Sequence, residues 1–319
     1  MPQSENLPIQ KSSNPMLLLS LIGEQPIPNL LPIRHLKPER NLLIYTSKTK
    51  ERARLLRRLI GGSEDLLVDA YDFPKILAQL QERLANEATV QFNLTGGTKM
   101  MALAAYALAA QKNAEFMYVE SEKHHSLLYR YQFQNGLPQL RETSVMPTLI
   151  TAGEYLKAHL PGFEERGFST DERGNLTEGG LFEKAVYEAL KQRGFDVLAG
   201  VRPAGVNDQI EIDLVFRVDN QVGIAEVKLG GGDSGKRGLD QLKMAGEQAY
   251  LGTYTAQFMI VAAPRLYGRA QGLAARRGVT VITLPEYQHG KPLPPVAAQR
   301  LTSQICQRLV GHSYLQAGN

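Results

Sequence analysis

Two carboxylates and a lysine stand close together in residues 209–228, QIEIDLVFRVDNQVGIAEVK. Apolar-rich runs at 210–218 and 222–229 flank Asp219-Asn220, a pair that accepts the positive φ of a two-residue turn, so the stretch reads as a β-hairpin. If Asp219-Asn220 is the whole loop, Val218 pairs with Gln221. Counting back then sets Asp213 opposite Glu226 and Glu211 opposite Lys228. Facing carboxylates repel, and a divalent cation between them turns that cost into a site. The alternative is an ordinary charged sheet face, with Glu211 and Lys228 as a salt bridge. Gly230-Gly231-Gly232 follows at once, the composition of a mobile loop at the mouth of a cleft.

Other elements must position this group. Residues 179–192 form an amphipathic helix with Leu181, Phe182, Ala185, Val186, Ala189 and Leu190 as its apolar stripe. Glu183 borders that stripe and can point along the sheet toward Asp213; the alternative is a surface glutamate favoured by the helix dipole. Downstream, a helix is expected over 239–250, with Lys236, Arg237 and Lys243 around it. A buried strand at 257–262, a helix at 266–277 bearing Arg276, a strand at 279–284 and a helix at 297–310 complete this half.

The set Glu183, Asp213, Glu226-Val227-Lys228 resembles the PD-(D/E)xK nuclease family, although Ile212 stands where that family often has proline. The resemblance implies a restriction-endonuclease-like α/β domain. It implies that Asp213, Glu226 and the Val227 carbonyl bind Mg²⁺ or Mn²⁺. It implies that Lys228 orients or activates the attacking water, and that Glu183 and Gln241 belong to the site. Lys236, Arg237, Lys243 and Arg276 are candidates for nucleic-acid backbone contacts.

The first half alternates strands and helices. Strands are expected at 16–22, 42–46, 66–70, 90–94 and 116–119, helices over 47–60, 74–85 and 100–112, and a closing hairpin around Asn135-Gly136. Residues 29–40 carry mixed signals with several prolines. This pattern predicts a parallel Rossmann-like sheet, whose ligands sit at the carboxyl ends of the strands. Two strand-to-helix turns there, Thr46-Ser47-Lys48-Thr49 and Thr95-Gly96-Gly97-Thr98-Lys99, offer backbone N–H groups to an anion; a tight turn with a helix cap is the alternative. Neither is GxxxxGK[ST], and no GxGxxG occurs, which excludes the NTPase P-loop and the dinucleotide fingerprint. The run of Lys48, Lys50, Arg52, Arg54, Arg57 and Arg58 reads either as part of a ligand site or as a solvated helix face. His124, His125 and His159 read as surface or pocket residues.

Gly23-Glu24-Gln25-Pro26 with Pro28 to Pro32, Tyr45-Thr46, and NLTGGTKMM at 93–101 look like the CARF sensor domains of type III CRISPR ancillary nucleases. That resemblance implies a homodimer binding a cyclic oligoadenylate, with Thr46, Ser47, Thr49, Gly96, Gly97, Thr98 and Lys99 around the ligand. The two resemblances together imply a CARF nuclease of α/β class, switched on by cyclic tetra-adenylate. Its substrate would be DNA, with single-stranded RNA as a second candidate. The domains would be a disordered 1–14, a sensor over 15–146, a linker over 147–178 and a nuclease over 179–319. A constitutive repair or resolvase-type nuclease and a non-catalytic DNA-binding regulator are the rival readings.

Composition agrees with two packed domains. The chain has 319 residues, 43% hydrophobic and 21% charged, with a formal charge of +4 that tolerates a polyanionic partner without demanding one. The one cysteine, Cys306, excludes an intramolecular disulfide and a cysteine-rich zinc site, which fits a reducing cytoplasm. The apolar runs at 16–22 and 100–110 fall short of the roughly 18 residues of a membrane span, and the polar start shows no secretion signal.

Overall fold

The computed structural model describes residues 16–123, 125–204, 210–231, 233–246, 251–252 and 255–311. The expectations for 1–14, His124, Gln209, Gly232 and Tyr250 lie outside these residues.

Among the described residues, the first half builds a seven-stranded sheet in the order β3-β2-β1-β4-β5-β6-β7. Its strands are β1 (Leu17–Leu21), β2 (Arg40–Tyr45), β3 (Glu64–Leu67), β4 (Val90–Asn93), β5 (Glu115–Lys123), β6 (His125–Gln134) and β7 (Leu137–Val145). β1 to β5 pair in parallel, and β5, β6 and β7 are antiparallel. Helices α1 (Ile27–Leu36), α2 (Lys50–Leu59), α3 (Phe73–Arg83) and α4 (Lys99–Gln111) make the crossovers, and α5 (Ala152–His159) follows the sheet. The fully buried Leu17, Leu18, Leu19 and Leu21 account for β1 as the central strand. The chain reverses direction across the sheet between β1 and β4, the crevice where ligands bind in such folds.

Helix α1 occupies residues whose prolines argue against a helix. Pro28 lies in the first turn, where a missing N–H costs little. Pro32 cannot donate to the Pro28 carbonyl one turn back. Asn93 Nδ2 takes that carbonyl instead, at 3.1 Å, so a side chain on β4 repairs the helix.

The second sheet runs β13-β12-β11-β10-β9-β8. Its strands are β8 (Phe163–Glu165), β9 (Asp196–Pro203), β10 (Ile212–Val218), β11 (Gln221–Lys228), β12 (Ala256–Val261) and β13 (Thr280–Thr283). β8 falls within the stretch expected as a linker and forms the edge of this sheet. Helices α6 (Glu178–Gln192) and α9 (Pro295–Val310) share one apolar cluster with Leu214, Phe216, Ala225 and Val227. α7 (Asp233–Ala245) and α8 (Arg269–Arg276) share another with Val215, Val222 and Ile224. The sheet is therefore covered on both faces. α7 begins six residues earlier than its apolar pattern suggested.

The cluster on the α7 side runs on without a break through Tyr155 and Leu156 of α5 to Leu56, Leu30 and Leu18 in the first half. Polar contacts follow the same seam. Arg34 reaches Glu154 at 2.7 Å, Arg52 donates to the His159 carbonyl and Tyr155 Oη donates to the Leu251 carbonyl. The basic run of α2 is thus not a solvated face throughout: Arg58 also reaches the Pro161 carbonyl, and Arg54 and Arg57 pair with Glu51 and Asp65.

His159, expected as a surface or pocket residue, is 2% exposed and stacks on Tyr155. Its Nδ1 donates to the Tyr155 carbonyl, and among the described residues Nε2 has no hydrogen-bond partner. Burial, with the charge of Arg52 adding to it, lowers its pKa to about 4. The unfolded chain therefore binds this proton between about pH 6.5 and 4 while the folded chain does not, so stability falls as pH drops through that window. The full loss is about 3 kcal/mol at 1.36 kcal/mol per unit. Urea denaturation at pH 7 and pH 4 should show this loss in the parent protein and lack that share of it in His159→Gln.

Candidate functional site

The hairpin has the expected register. Val218 pairs with Gln221 and Leu214 with Ala225, so the next step brings Asp213 level with Glu226. Asp219 supplies the positive φ of the turn, at 52°. At the open end Asp213 Oδ2 accepts from the Val227 N–H at 2.7 Å and from Lys228 Nζ at 2.8 Å. Lys228 Nζ also lies 2.8 Å from Glu226 Oε2, an ion pair that lacks hydrogen-bond alignment and leaves Oε2 without a directed donor. Glu226 is 1% exposed.

The sequence explains this crowding. Gly238 on α7 leaves room for the helix to lie against β11: a Cβ there would stand 2.6 Å from Met259 Cε, 3.4 Å from Glu226 Cβ and 3.6 Å from Lys228 Cε. Gly200 on β9, between the partners of Ile212 and Leu214, has φ of +61°, and a Cβ there would strike the Gly167 carbonyl oxygen. Glycine is required at Gly200, for its conformation as well as its contacts, whereas a Cβ at Gly238 would displace the flexible end of Met259.

Burial and the charge of Asp213 push the Glu226 carboxyl well above the usual carboxylate range. Burial alone would lower the Lys228 ammonium, but Glu226 and Asp213 outweigh it and hold Nζ protonated above its ordinary value. Glu211 does not join this group. It pairs with Arg202 at 3.1 Å, and Lys228 pairs with Asp213 and Glu226, so the Glu211–Lys228 salt bridge does not form.

Glu183 lies on α6, in the layer opposite α7. It is 5% exposed, and its two oxygens accept from the Ser169 N–H at 2.9 Å and from Ser169 Oγ at 2.8 Å. Burial and the charge of Asp213 raise its pKa, which places it within electrostatic reach of the hairpin. Among the described residues no three His, Cys, Asp or Glu side chains stand close enough to hold a metal together. The structure thus unites Asp213, Glu226 and Lys228 and leaves Glu183 on α6, bound to Ser169. The donors that could hold a cation are Asp213, Glu226 and the Val227 carbonyl, an all-oxygen set suited to a hard divalent ion. Glu226 Oε2, buried and facing the Lys228 ammonium, is the oxygen that residue would offer to such an ion.

A cleft of about 430 Å³ opens beside Lys228, lined by Arg237, Asp240 and Gln241. Lys236, Lys243 and Arg276 are exposed and do not line it. Arg276 donates to the Gly272 carbonyl of its own helix.

The first sheet carries a larger cavity, about 860 Å³, at the carboxyl ends of β1, β2 and β4. Thr46, Ser47, Thr49, Gly97 and Thr98 line it; Gly96 and Lys99 do not. Gly96 packs against β1, where a Cβ would collide with the Leu21 carbonyl. Lys99 is exposed in the first turn of α4. Several threonine hydroxyls serve the protein's own backbone. Thr98 Oγ1 donates to the Ala70 carbonyl at 2.6 Å and accepts from the Met101 N–H. Thr95 Oγ1 accepts from the Val119 N–H and donates to Asn93 Oδ1. Thr49 Oγ1 accepts from the Thr46 N–H. Glu24, Gln25, Tyr71, Tyr118 and Glu120 also line it; the tyrosines come from distant elements and carry no local motif. Glu24 holds Lys48 at 2.8 Å.

The family model of the Card1 CARF domain matches residues 17–147. No curated protein matches the sequence significantly. Among solved structures, Can2 from Sulfobacillus thermosulfidooxidans, in complex with cyclic tetra-adenylate, is similar with a TM-score of 0.68 at 18% identity, over 91% of this chain and 96% of its own. Protein VC1899 from Vibrio cholerae gives 0.68 at 13% identity, over 93% and 98%. A type III CRISPR defence DNA nuclease activated by cyclic oligoadenylate gives 0.58 at 16% identity, over 92% of this chain and 52% of its own. At these identities the likeness is one of fold. The family match and the strand order around β1 together identify residues 17–147 as a CARF domain of the Card1 kind.

Proposed function

We propose that this chain is a cyclic-oligoadenylate-activated, metal-dependent nuclease of type III CRISPR defence. The observation that carries the reading is the Asp213–Lys228–Glu226 group at the end of a hairpin, beside a cleft, on the same chain as a CARF cavity. Can2 binds cyclic tetra-adenylate, and the type III CRISPR defence DNA nuclease is activated by a cyclic oligoadenylate, which supports the same class of activator here. Residues 15–146 would act as the sensor, 147–178 as the joint and 179–319 as the nuclease, in the cytoplasm. Among the described residues no helix is long and apolar enough to cross a membrane.

In the sensor, Ser47, Lys48 and the main-chain N–H groups of the two turns would meet the phosphates, while Tyr71 and Tyr118 offer aromatic faces to the bases. Glu24 and Glu120 would accept from base amino or ribose hydroxyl groups, because a carboxylate repels a phosphate. A homodimer is the expected assembly. α4 is apolar around most of its circumference, yet Leu103 remains 52% exposed, as a partner-facing residue would. A ring of four identical nucleotides also has the two-fold symmetry such a dimer presents.

In the nuclease, Asp213, Glu226 and the Val227 carbonyl would hold Mg²⁺ or Mn²⁺. The bound ion supplies an acidified water and neutralises phosphate charge. Lys228, whose ammonium lies against both carboxylates, would orient or activate that water and face the scissile phosphate. Glu183, fixed by Ser169, would act on the site electrostatically through Asp213 and not as a metal ligand. Arg237 in the cleft, with Lys236, Lys243 and Arg276 outside it, would track the backbone of DNA or single-stranded RNA without reading sequence.

The test offers plasmid DNA and single-stranded RNA with Mg²⁺ or Mn²⁺, with and without synthetic cyclic tetra-adenylate. Cleavage only with both metal and ring is the expected result. Cleavage without the ring would favour a constitutive repair nuclease. Ring binding without cleavage would leave a nucleotide-responsive regulator.

A further inference from the structure

The wall of the sensor cavity is also the seat of the catalytic hairpin's turn. Gln25 and Pro28 line the large cavity. The same two residues line a small second cavity, whose other walls include Tyr155 of α5 and Asn220, Gln221 and Val222 of the hairpin. Gln25 also lies against Gly252 so closely that a Cβ there would collide with its amide.

Asn220 is tied on that side. It is 5% exposed, although it sits in a two-residue turn. Its Nδ2 donates to the Pro147 carbonyl at 2.8 Å, and its Oδ1 accepts from the Leu149 N–H at 2.8 Å. Both partners belong to the segment that leaves the first sheet and leads into α5. Neither bond is needed to close the turn, since both go to a chain segment over seventy residues away. Along β11, Glu226 lies six residues from Asn220, about 20 Å at 3.3 Å per residue. Over this length the two strands are paired and packed on both faces.

We infer that Asn220 is a positioning residue for the nuclease reaction: it fastens the turn of the catalytic hairpin to the segment leaving the sensor, so that a displacement of the cavity wall at Gln25 and Pro28 is delivered to Asp213 and Glu226. The inference rests on the ligand-activated nuclease reading of the preceding section. It assigns to Asn220 a coupling role beyond the turn propensity that its residue type explains. Asn220→Asp keeps an acceptor for the Leu149 N–H but sets an oxygen against the Pro147 carbonyl, removing half of the fastening with almost no change in shape.

The experiment reads three quantities for the full chain: affinity for synthetic cyclic tetra-adenylate by calorimetry, the ratio of cleavage with and without the ring, and hydrogen exchange at 147–152 and 213–227. In Asn220→Asp the affinity should be retained. The stimulation ratio should fall by about 5- to 150-fold, the span of ordinary site–site coupling. In the parent protein the ring should alter exchange at both segments. A variant that keeps the parent's stimulation, even with a lower melting temperature, overturns the inference, because Asn220 would then be merely structural. If the variant does not fold, the parent decides: ring binding that leaves 213–227 unchanged also overturns it. If the parent neither binds the ring nor cuts, the proposed function fails instead. The fastening is then read in the ring-free proteins, where Asn220→Asp must raise exchange at 213–227 as well as at 147–152, and a rise confined to the turn refutes it.

Discussion

Glu226→Gln or Asp213→Asn should reduce metal-dependent cleavage by about a thousandfold while leaving affinity for the cyclic ligand intact. The two carboxylates and the Val227 carbonyl are the whole proposed donor set, so either change removes one of two anionic ligands. A Lewis-acidic ion contributes several kcal/mol of transition-state charge stabilisation, and each 1.36 kcal/mol is tenfold in rate. The cavity that would take the cyclic ligand is lined by other residues, so its affinity should not follow. Plasmid nicking and ligand calorimetry on the same preparations separate the two effects. Unchanged nicking in both variants would remove the hairpin from the chemistry.

Lys228→Met should produce the largest change in stability, a loss of about 3–5 kcal/mol in metal-free buffer at pH 8, as expected when one partner of a buried ion pair is deleted. Lys228 is the cation between Asp213 and Glu226, and Glu226 is 1% exposed. Its removal leaves two adjacent carboxylates without compensation. The loss should shrink toward pH 5. Burial and Asp213 already raise the Glu226 pKa, so its neutral form is favoured in the folded protein. Stability linked to that proton is present at low pH and is lost as pH rises through the folded pKa. Added Mn²⁺ should restore much of the loss, because it replaces one cation with another. Urea midpoints at both pH values, with and without Mn²⁺, check the claim; an equal loss at both would refute the repulsion account.

The hairpin was legible because its information is local. Alternating apolar residues, an Asp-Asn turn and a count along two strands are enough to set Asp213 beside Glu226. The parallel sheet of the first half was legible for the same reason. What stayed hidden depends on partners far away in the chain. Helix α1 contains Pro32, and only the Asn93 amide on β4 makes that tolerable. Glu183 is buried and feels the charge of Asp213, but that Ser169 would bind both its oxygens could not be read from the sequence. Glu211 was paired on paper with Lys228 and finds Arg202 instead. Thr49 and Thr98 line the cavity of the first sheet, but that their hydroxyls also engage the backbone depends on the fold. Gly238 gave no sign that its missing side chain admits α7 to β11.

The unbroken apolar cluster from Leu18 through Tyr155 to Ile224 bears on how such proteins can be recombined. A sensor that met its effector only through a slack tether could be exchanged for another by fusing genes at the tether. Here a cut near residue 147 would strip α5 from Leu56 and leave apolar surface on both fragments. The two sheets therefore share α5 as common core, and a working chimera would have to inherit α5 together with both faces it covers.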